Sequence, residues 1–437
     1  MPLSNRLAGV CLLLVSSGAA QERPIAFLGA RVVPIAAPAI EDGTVLVHRG
    51  KVVAVGPRAG VAVPAEAERR EVKGVLLPGF VDTHSHIGGG SGGDASAPIQ
   101  PDVRIWDTID VRDPGLQKAQ AGGITTVNVM PGSGHLLSGQ TVYLKLRDGN
   151  AIEDLLIRGP DGAIAGGIKM ANGTNSQRAA PFPNTRGKSA ALVRTEFVKA
   201  QEYRAKVQRA GGDPEKLPPR DLRMEALAMA LDGKWIVHHH THRADDVLTV
   251  LRLAQEFGFR VVLHHVSEGW KVAEEIARAK APCSVIAIDS PGGKLEAIHL
   301  RPETAGVLER AGVSVAIHSD DGITDSRLFL RSHAMAVRGG FSRAAALESL
   351  TVAGARMLDL QDRVGTLEPG KDADLVLLSG DPFALDTVVL ETWVEGRKVF
   401  DRADPKDRLH AVGGLGASDG QVMHTHCGCC DGEEAHR

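Results

Sequence analysis

Two textures of apolar and polar residues follow one another along the chain. From Ile25 to Gly74, short alternating runs such as AFLGARVV and TVLVHRGKVVAVG are separated by Gly, Pro and Asp. Alternation with a period of two marks half-buried strands, so this segment reads as small antiparallel strands. The same texture returns between Ala373 and Phe400, in ADLVLLSGDP and VLETWVEGRKVF. Two β segments flanking a long middle predict one small β-sandwich built from both ends, with a larger unit inserted between them.

The middle reads differently. GITTVNVM, AIAGGIKM, WIVHHHTH, RVVLHHV, CSVIAID and VSVAIHSDD are continuous apolar runs bounded by breakers, the pattern of strands buried on both faces. Between WIVHHHTH and RVVLHHV, residues Ala244 to Phe257 predict a helix. Val247, Leu248, Leu251 and Ala254 form one stripe, Asp245 and Asp246 lie in the first turn, and Gly258 follows the last. Repeated strand–helix units predict a parallel sheet. About eight of them favour an α/β fold of the (β/α)8 TIM-barrel type over an open doubly wound sheet, for which there is no GxGxxG turn. After Asn172 a longer connection, GTNSQRAAPFPNTRGK, leads into helical patterns from Ala190 to Arg209 and from Asp221 to Leu231. Such excursions serve as lids or substrate loops, or are solvated insertions.

The N-terminus reads MPLSNRLAGVCLLLVSSGAAQ: Arg6, an apolar run from Leu7 to Val15, then small residues to Ala20. This is the pattern of a secretory signal and is too short to span a bilayer, so the expectation is an exported protein, periplasmic or secreted, without a membrane anchor after cleavage. The expected partition is residues 1–20 as signal, 21–75 with 364–404 as composite β-sandwich, 76–363 as barrel and 405–437 as a disordered Gly/His/Cys-rich tail. A net charge of -3 over 437 residues gives no basic surface for nucleic acid and no further hint of a partner, with self-association open. Cys283 and the tail trio Cys427, Cys429 and Cys430 make no disulfide framework, although the tail's thiols and histidines suit a soft metal.

Histidine placement carries the chemistry. VLLPGFVDTHSHIG, Val75 to Gly88, ends in His84 and His86, which as strand residues i and i+2 share a face. AIAGGIKM ends in Lys169, WIVHHHTH in a run containing His240, RVVLHHV in His264 and His265, and VSVAIHSDD in His318, Asp320 and Asp321. A barrel keeps its active site at the C-terminal ends of its strands, and five such ends delivering ligand types point to a metal site.

With PGFVDTHSH, the later strand-end histidines, the final aspartate and VGTLEPGKDADLVLLSGDP assembled, the chain resembles the amidohydrolase superfamily. Through GIKMANG, HTHRADDVLTVLRLAQEFG and SEGWKVAEEI it resembles the imidazolonepropionase-like branch. The resemblance implies one or two divalent metal ions of the zinc type. His84 and His86 would bind a buried ion with Asp320, and His240 and His265 a more exposed one. Lys169 would bridge them as a carboxylated lysine, or else be a core lysine paired with Asp320 beside a single ion. It assigns no role to His242, His264 or His318. It further implies hydrolysis of an amide, cyclic-amide or amidine-type C–N bond by metal-activated water, Asp320 carrying the proton to the leaving nitrogen.

One departure stands out. Relatives tend to carry GENPK after the Lys169 motif, whereas here Gly173, Thr174, Asn175, Ser176 and Gln177 follow. A metal-binding protein with little turnover is therefore the rival reading, and a deaminase on the same scaffold a variant of the first. Arg178, Arg186 and Lys188 either grip a substrate carboxylate or belong to a solvated loop.

Overall fold

Residues 23–413, apart from 90–92, 95 and 288–293, are described by a computed structural model of the protein. The expected signal and the cysteine-bearing end of the tail lie outside the described residues. The chain opens with β1 (Ile25–Val32), β2 (Ile40–His48), β3 (Lys51–Pro57), β4 (Glu68–Glu71) and β5 (Val75–Pro78). Then come β6 (Phe80–Ser85), β7 (Ile124–Val129), β8 (Leu137–Gln140), β9 (Val142–Lys145), β10 (Gly167–Ala171), β11 (Ile236–Thr241), β12 (Val261–His265), β13 (Cys283–Ile286) and β14 (Val315–His318). Last are β15 (Leu375–Leu378), β16 (Val389–Val394) and β17 (Arg397–Asp401). With helices between them, these strands make a mixed α/β fold.

Both ends of the chain share a sheet, in the order β17-β16-β15-β5-β1-β2-β3, with β4 also on β1. Its core gathers Phe27, Val45, Leu76, Leu375 and Trp393, the rings of Phe27 and Trp393 meeting edge to face at 5.0 Å. The two stacked sheets expected here are not shown: all eight strands belong to one hydrogen-bonded sheet. The cause is β1, which pairs with β2 along one edge and with β4 and then β5 along the other, so the sheet stays continuous.

The middle forms a sheet of six, β14-β13-β12-β11-β10-β8, and a sheet of three, β6-β7-β9. Neighbours are parallel except where β8 and β9 run antiparallel to β10 and β7. Sequence reading passed over this stretch because Ser138, Gly139, Gln140 and Thr141 interrupt its apolar pattern. These polar residues are buried through hydrogen bonds: Ser138 Oγ donates to the Gly132 carbonyl, Gln140 Nε2 to Pro101, and Thr141 Oγ1 accepts from the Gly167 N–H. Leu137–Lys145 thereby serves both sheets. At the other side, the Asp320 N–H donates to the His84 carbonyl (2.9 Å) and the His86 N–H to that of Asp321 (3.1 Å), tying the end of β14 to the end of β6.

The helix Ala244–Phe257 forms as expected, ending at Gly258 with φ of 74°, a conformation glycine adopts without strain. Its buried stripe is Val247, Val250, Leu253 and Phe257, with Leu248, Leu251 and Ala254 only partly covered. Each such side chain contributes roughly 1.5–3 kcal/mol when fully buried. The long connection carries helices Arg186–Ala210 and Leu222–Leu231. The tail departs from expectation at its start: Pro405–Val412 is a helix, with Pro405 at its first turn and the Asp404 carboxylate capping the Lys406 N–H.

Candidate metal centre

The turn in VLLPGFVDTHSH separates β5 and β6, which lie in different sheets. A Cβ at Gly79 would stand 2.2 Å from Thr125 Oγ1, so only glycine lets the chain pass β7 there. Beyond it, alternation aims His84 and His86 the same way, and their Nε2 atoms lie 3.3 Å apart. Asp320 Oδ1 closes the triangle, 3.4 Å from His84 Nε2 and 3.1 Å from His86 Nε2. Lys169 Nζ sits 3.1 Å from His84 Nε2. His240 and His265 adjoin this group, ring centroids 4.4 Å apart, with His265 Nδ1 3.8 Å from Asp320 Oδ2. All six residues chosen from the sequence therefore stand in one cluster.

The same cluster holds residues that the sequence left without a role. His318 Nε2 lies 3.1 Å from His265 Nδ1, and its Nδ1 faces Ser284 Oγ at 2.7 Å. His84, His265 and His318 form a second triad with ligand atoms within 4.8 Å of one another. His242 stacks on His265 at 5.0 Å. Lys294, from a loop with no distinguishing motif, places Nζ 3.5 Å from His240 Nε2 and 3.0 Å from Asn175 Oδ1. No local pattern could have found Lys294; His318 was visible as the last residue of its strand, two before Asp320.

Electrostatics suit a cation. Burial pushes the Lys169 ammonium down to about 7 against the pull of Asp320, with Lys294 adding to the fall. Lys169 makes no ion pair with Asp320; its nitrogen touches His84 and Met130 Sδ. Burial would lift Asp320, but the His86 hydrogen bond and charge, with His318 and Lys169, hold its carboxyl below the usual range, so it is anionic. The His86 Nδ1–H donates to the Met130 carbonyl at 2.7 Å, so that in the neutral ring Nε2 is the bare nitrogen and points inward. Asp320 and His265 also hold φ angles of 52° and 70°, strained values for residues with a Cβ and common where a site dictates the backbone.

The donor set also leaves lone pairs over. Among the described residues His240 Nδ1, His242 Nε2 and His265 Nε2 are buried without a hydrogen-bond partner, a costly condition that a ligand relieves. Two ligands bound tetrahedrally to zinc lie about 3.3 Å apart, and the His84, His86 and Asp320 atoms stand 3.1 to 3.4 Å from one another. Imidazole and carboxylate are zinc's ordinary donors. The residues present fit a divalent ion.

The long connection behaves otherwise. Arg186 is committed to Asp246 (2.9 Å) and Glu296 (2.8 Å), and Arg178 lies over the Phe182 ring at 3.9 Å, so neither is free for a substrate carboxylate. Lys188 is in the first turn of its helix, its N–H capped by Thr185. At the departure from GENPK, the Thr174 N–H donates to Glu296 Oε1 (2.6 Å), so a carboxylate from a distant segment occupies this loop.

Comparison with known proteins agrees with this geometry. The description "Amidohydrolase family" matches residues 75–399. A crystal structure of an amidohydrolase from Thermotoga maritima MSB8 is 36% identical, with a TM-score of 0.80 over 86% of this chain and 100% of that one. The amidohydrolase tasK of Hapsidospora irregularis is 28% identical over 84% of this chain, which spans 41% of that relative's length. An imidazolonepropionase of Rhizobium rhizogenes is 24% identical over 80% of this chain and 90% of its own. With its strand-end ligand types gathered at one point and three quarters of its length matched, the chain belongs to the amidohydrolase family.

Proposed function

We propose that the protein is a metal-dependent hydrolase of an amide or cyclic-amide C–N bond in a small-molecule substrate. The observation that carries the proposal is the spacing of His84 Nε2, His86 Nε2 and Asp320 Oδ1, which matches ligands around one tetrahedral ion. His240 and His265, both buried, would hold a second ion. Lys169 would join them as its carbamate, a form supported by the lowered basicity of its buried amine and its lack of a carboxylate hydrogen-bond partner among the described residues. When bound, the dication activates a water and polarises the substrate carbonyl. Asp320 keeps one oxygen toward the histidines, takes the water's proton on the other and delivers it to the leaving nitrogen.

We further infer that the sheets of six and three close into one (β/α)8-type barrel. Supporting this are the strand stretch shared by both sheets and the backbone bonds from β14 to β6. The barrel would span residues 76–363 between the two halves of the β unit. Export stays part of the proposal on the strength of Arg6 and the apolar run Leu7–Val15.

Metal analysis and a panel of N-acyl amino acids, dipeptides and cyclic amides test the reading. Chelation should abolish turnover and zinc restore it, and Asp320→Asn should reduce kcat by about 10²–10⁴-fold. Undiminished turnover in Asp320→Asn would refute the mechanism.

A further inference from the structure

Behind the metal centre, four rings run in a line into the protein. His84 Nδ1 meets His264 Nδ1 at 3.1 Å, His264 Nε2 meets His238 Nδ1 at 3.0 Å, and His238 Nε2 meets Tyr143 Oη at 2.8 Å. The three imidazoles are wholly buried and the tyrosine nearly so. His264 and His238 make these contacts with both ring nitrogens, and neither has another hydrogen-bond partner among the described residues.

A neutral imidazole has one N–H and one bare nitrogen, so each link passes a proton in one direction only. Burial favours the neutral rings. The line therefore has two self-consistent settings. In the first, every proton points away from the centre: His84 Nδ1–H donates to His264, His264 Nε2–H to His238, and His238 Nε2–H to the Tyr143 oxygen. In the second, the Tyr143 hydroxyl donates to His238 and the N–H of each ring points toward the centre, ending with His84 Nε2–H facing Asp320. Only the first gives His84 a bare Nε2. His86 obtains the same result from the fixed Met130 carbonyl, which can only accept; His84 has no such carbonyl.

We infer that His264, His238 and Tyr143 are positioning residues that accept the Nδ1 proton of His84 and so allow its metal-binding tautomer, and that filling the site sets the proton direction of the whole line. The inference rests on the proposed metal role of His84. None of the three touches the reacting atoms. Tyr143 lies on β9, the strand hidden from sequence reading, so the line exists only once β9, β11, β12 and β6 are brought side by side.

Zinc affinity of the purified full-length chain, measured by competition with a chromophoric chelator, tests it. His264→Phe keeps a ring but removes both nitrogens and should weaken zinc binding about 10–100-fold, the usual cost of losing such an outer partner. His264→Asp, which loses the ring but accepts the His84 Nδ1–H directly, should bind zinc at least tenfold more tightly than His264→Phe. A packing role predicts the reverse order, and that order would overturn the inference, as would His264→Phe binding within twofold of the parent. Tyr143→Phe, which removes one oxygen and nothing else, decides the matter should His264→Phe fail to fold: a several-fold change in zinc affinity in either direction supports the line, because the hydroxyl ends both settings, and an unchanged affinity overturns it. The underlying metal reading fails separately, if the parent binds no zinc or if His86→Ala, outside the line, binds it as well as the parent.

Discussion

Two buried polar clusters lie in this molecule, and they are built on opposite plans. In the first, Lys145 on β9 is fully buried between Asp372 and Asp374, contacting Asp372 at 3.0 Å. Asp372 also meets Lys51 (2.6 Å) and Arg363 (3.2 Å), and Asp374 accepts the Glu395 N–H (3.0 Å). Every charge there has a partner inside the protein, and none of these atoms is left over. The second cluster, at the ends of the central strands, crowds imidazoles together and leaves the nitrogens of His240, His242 and His265 unsatisfied. A polar cluster that satisfies itself fastens the β unit to the central strands. One that leaves buried ring nitrogens without partners is built around something from outside.

The contrast should appear most strongly with pH. Burial above all pushes His238, His242 and His318 in that cluster down to about 3, and to about 4 both His239 beside it and His333, which lies apart on the helix Phe329–Arg338. The unfolded chain binds protons on these rings near pH 6.5 and the folded chain refuses them, so their stability contribution is whole above that pH and drains as pH falls. Each group costs about 1.4 kcal/mol per pH unit inside the window, and five together about 7, against a typical total of roughly 5–15. Metal-free protein should therefore unfold cooperatively between about pH 6 and 4 when followed by circular dichroism, and added zinc should move the midpoint lower. A flat stability profile over that range would break the comparison.

Lys145→Met tests the other cluster. Removing the cation strands two buried carboxylates and should cost about 3–5 kcal/mol in denaturant unfolding, while zinc affinity of the folded protein stays unchanged. Equal stability to the parent would show that the cluster fastens nothing. The smallest effect is expected at Arg186→Gln, where partly exposed ion pairs with Asp246 and Glu296 are lost: about 1–3 kcal/mol, with KM unchanged. A raised KM at unchanged stability would return Arg186 to the role of substrate grip.

Much of the site was legible because its signals are local. His84 and His86 share a face by strand alternation, and the helix Ala244–Phe257 is bounded by residues that cap any helix. The helix stripe itself was misplaced by a few positions because the pattern of apolar residues there is broad, and packing against β11 and β12 decides which of them go deepest. The start of the tail was misread because the Gly-rich stretch beyond it outweighed the Asp404 cap and Pro405.

By itself, then, the sequence determined which residues bear ligand chemistry and on which strand ends they fall, since spacing and side-chain type need no neighbours. Only the tertiary structure decided that β8 and β9 stand between β7 and β10, and hence that Tyr143 reaches His238 and Lys145 reaches Asp374. It likewise brought Lys294 to His240 and Glu296 to Thr174. Such pairings join segments far apart along the chain, and their partners are chosen by hydrogen-bond satisfaction and packing across strands, which no local pattern records.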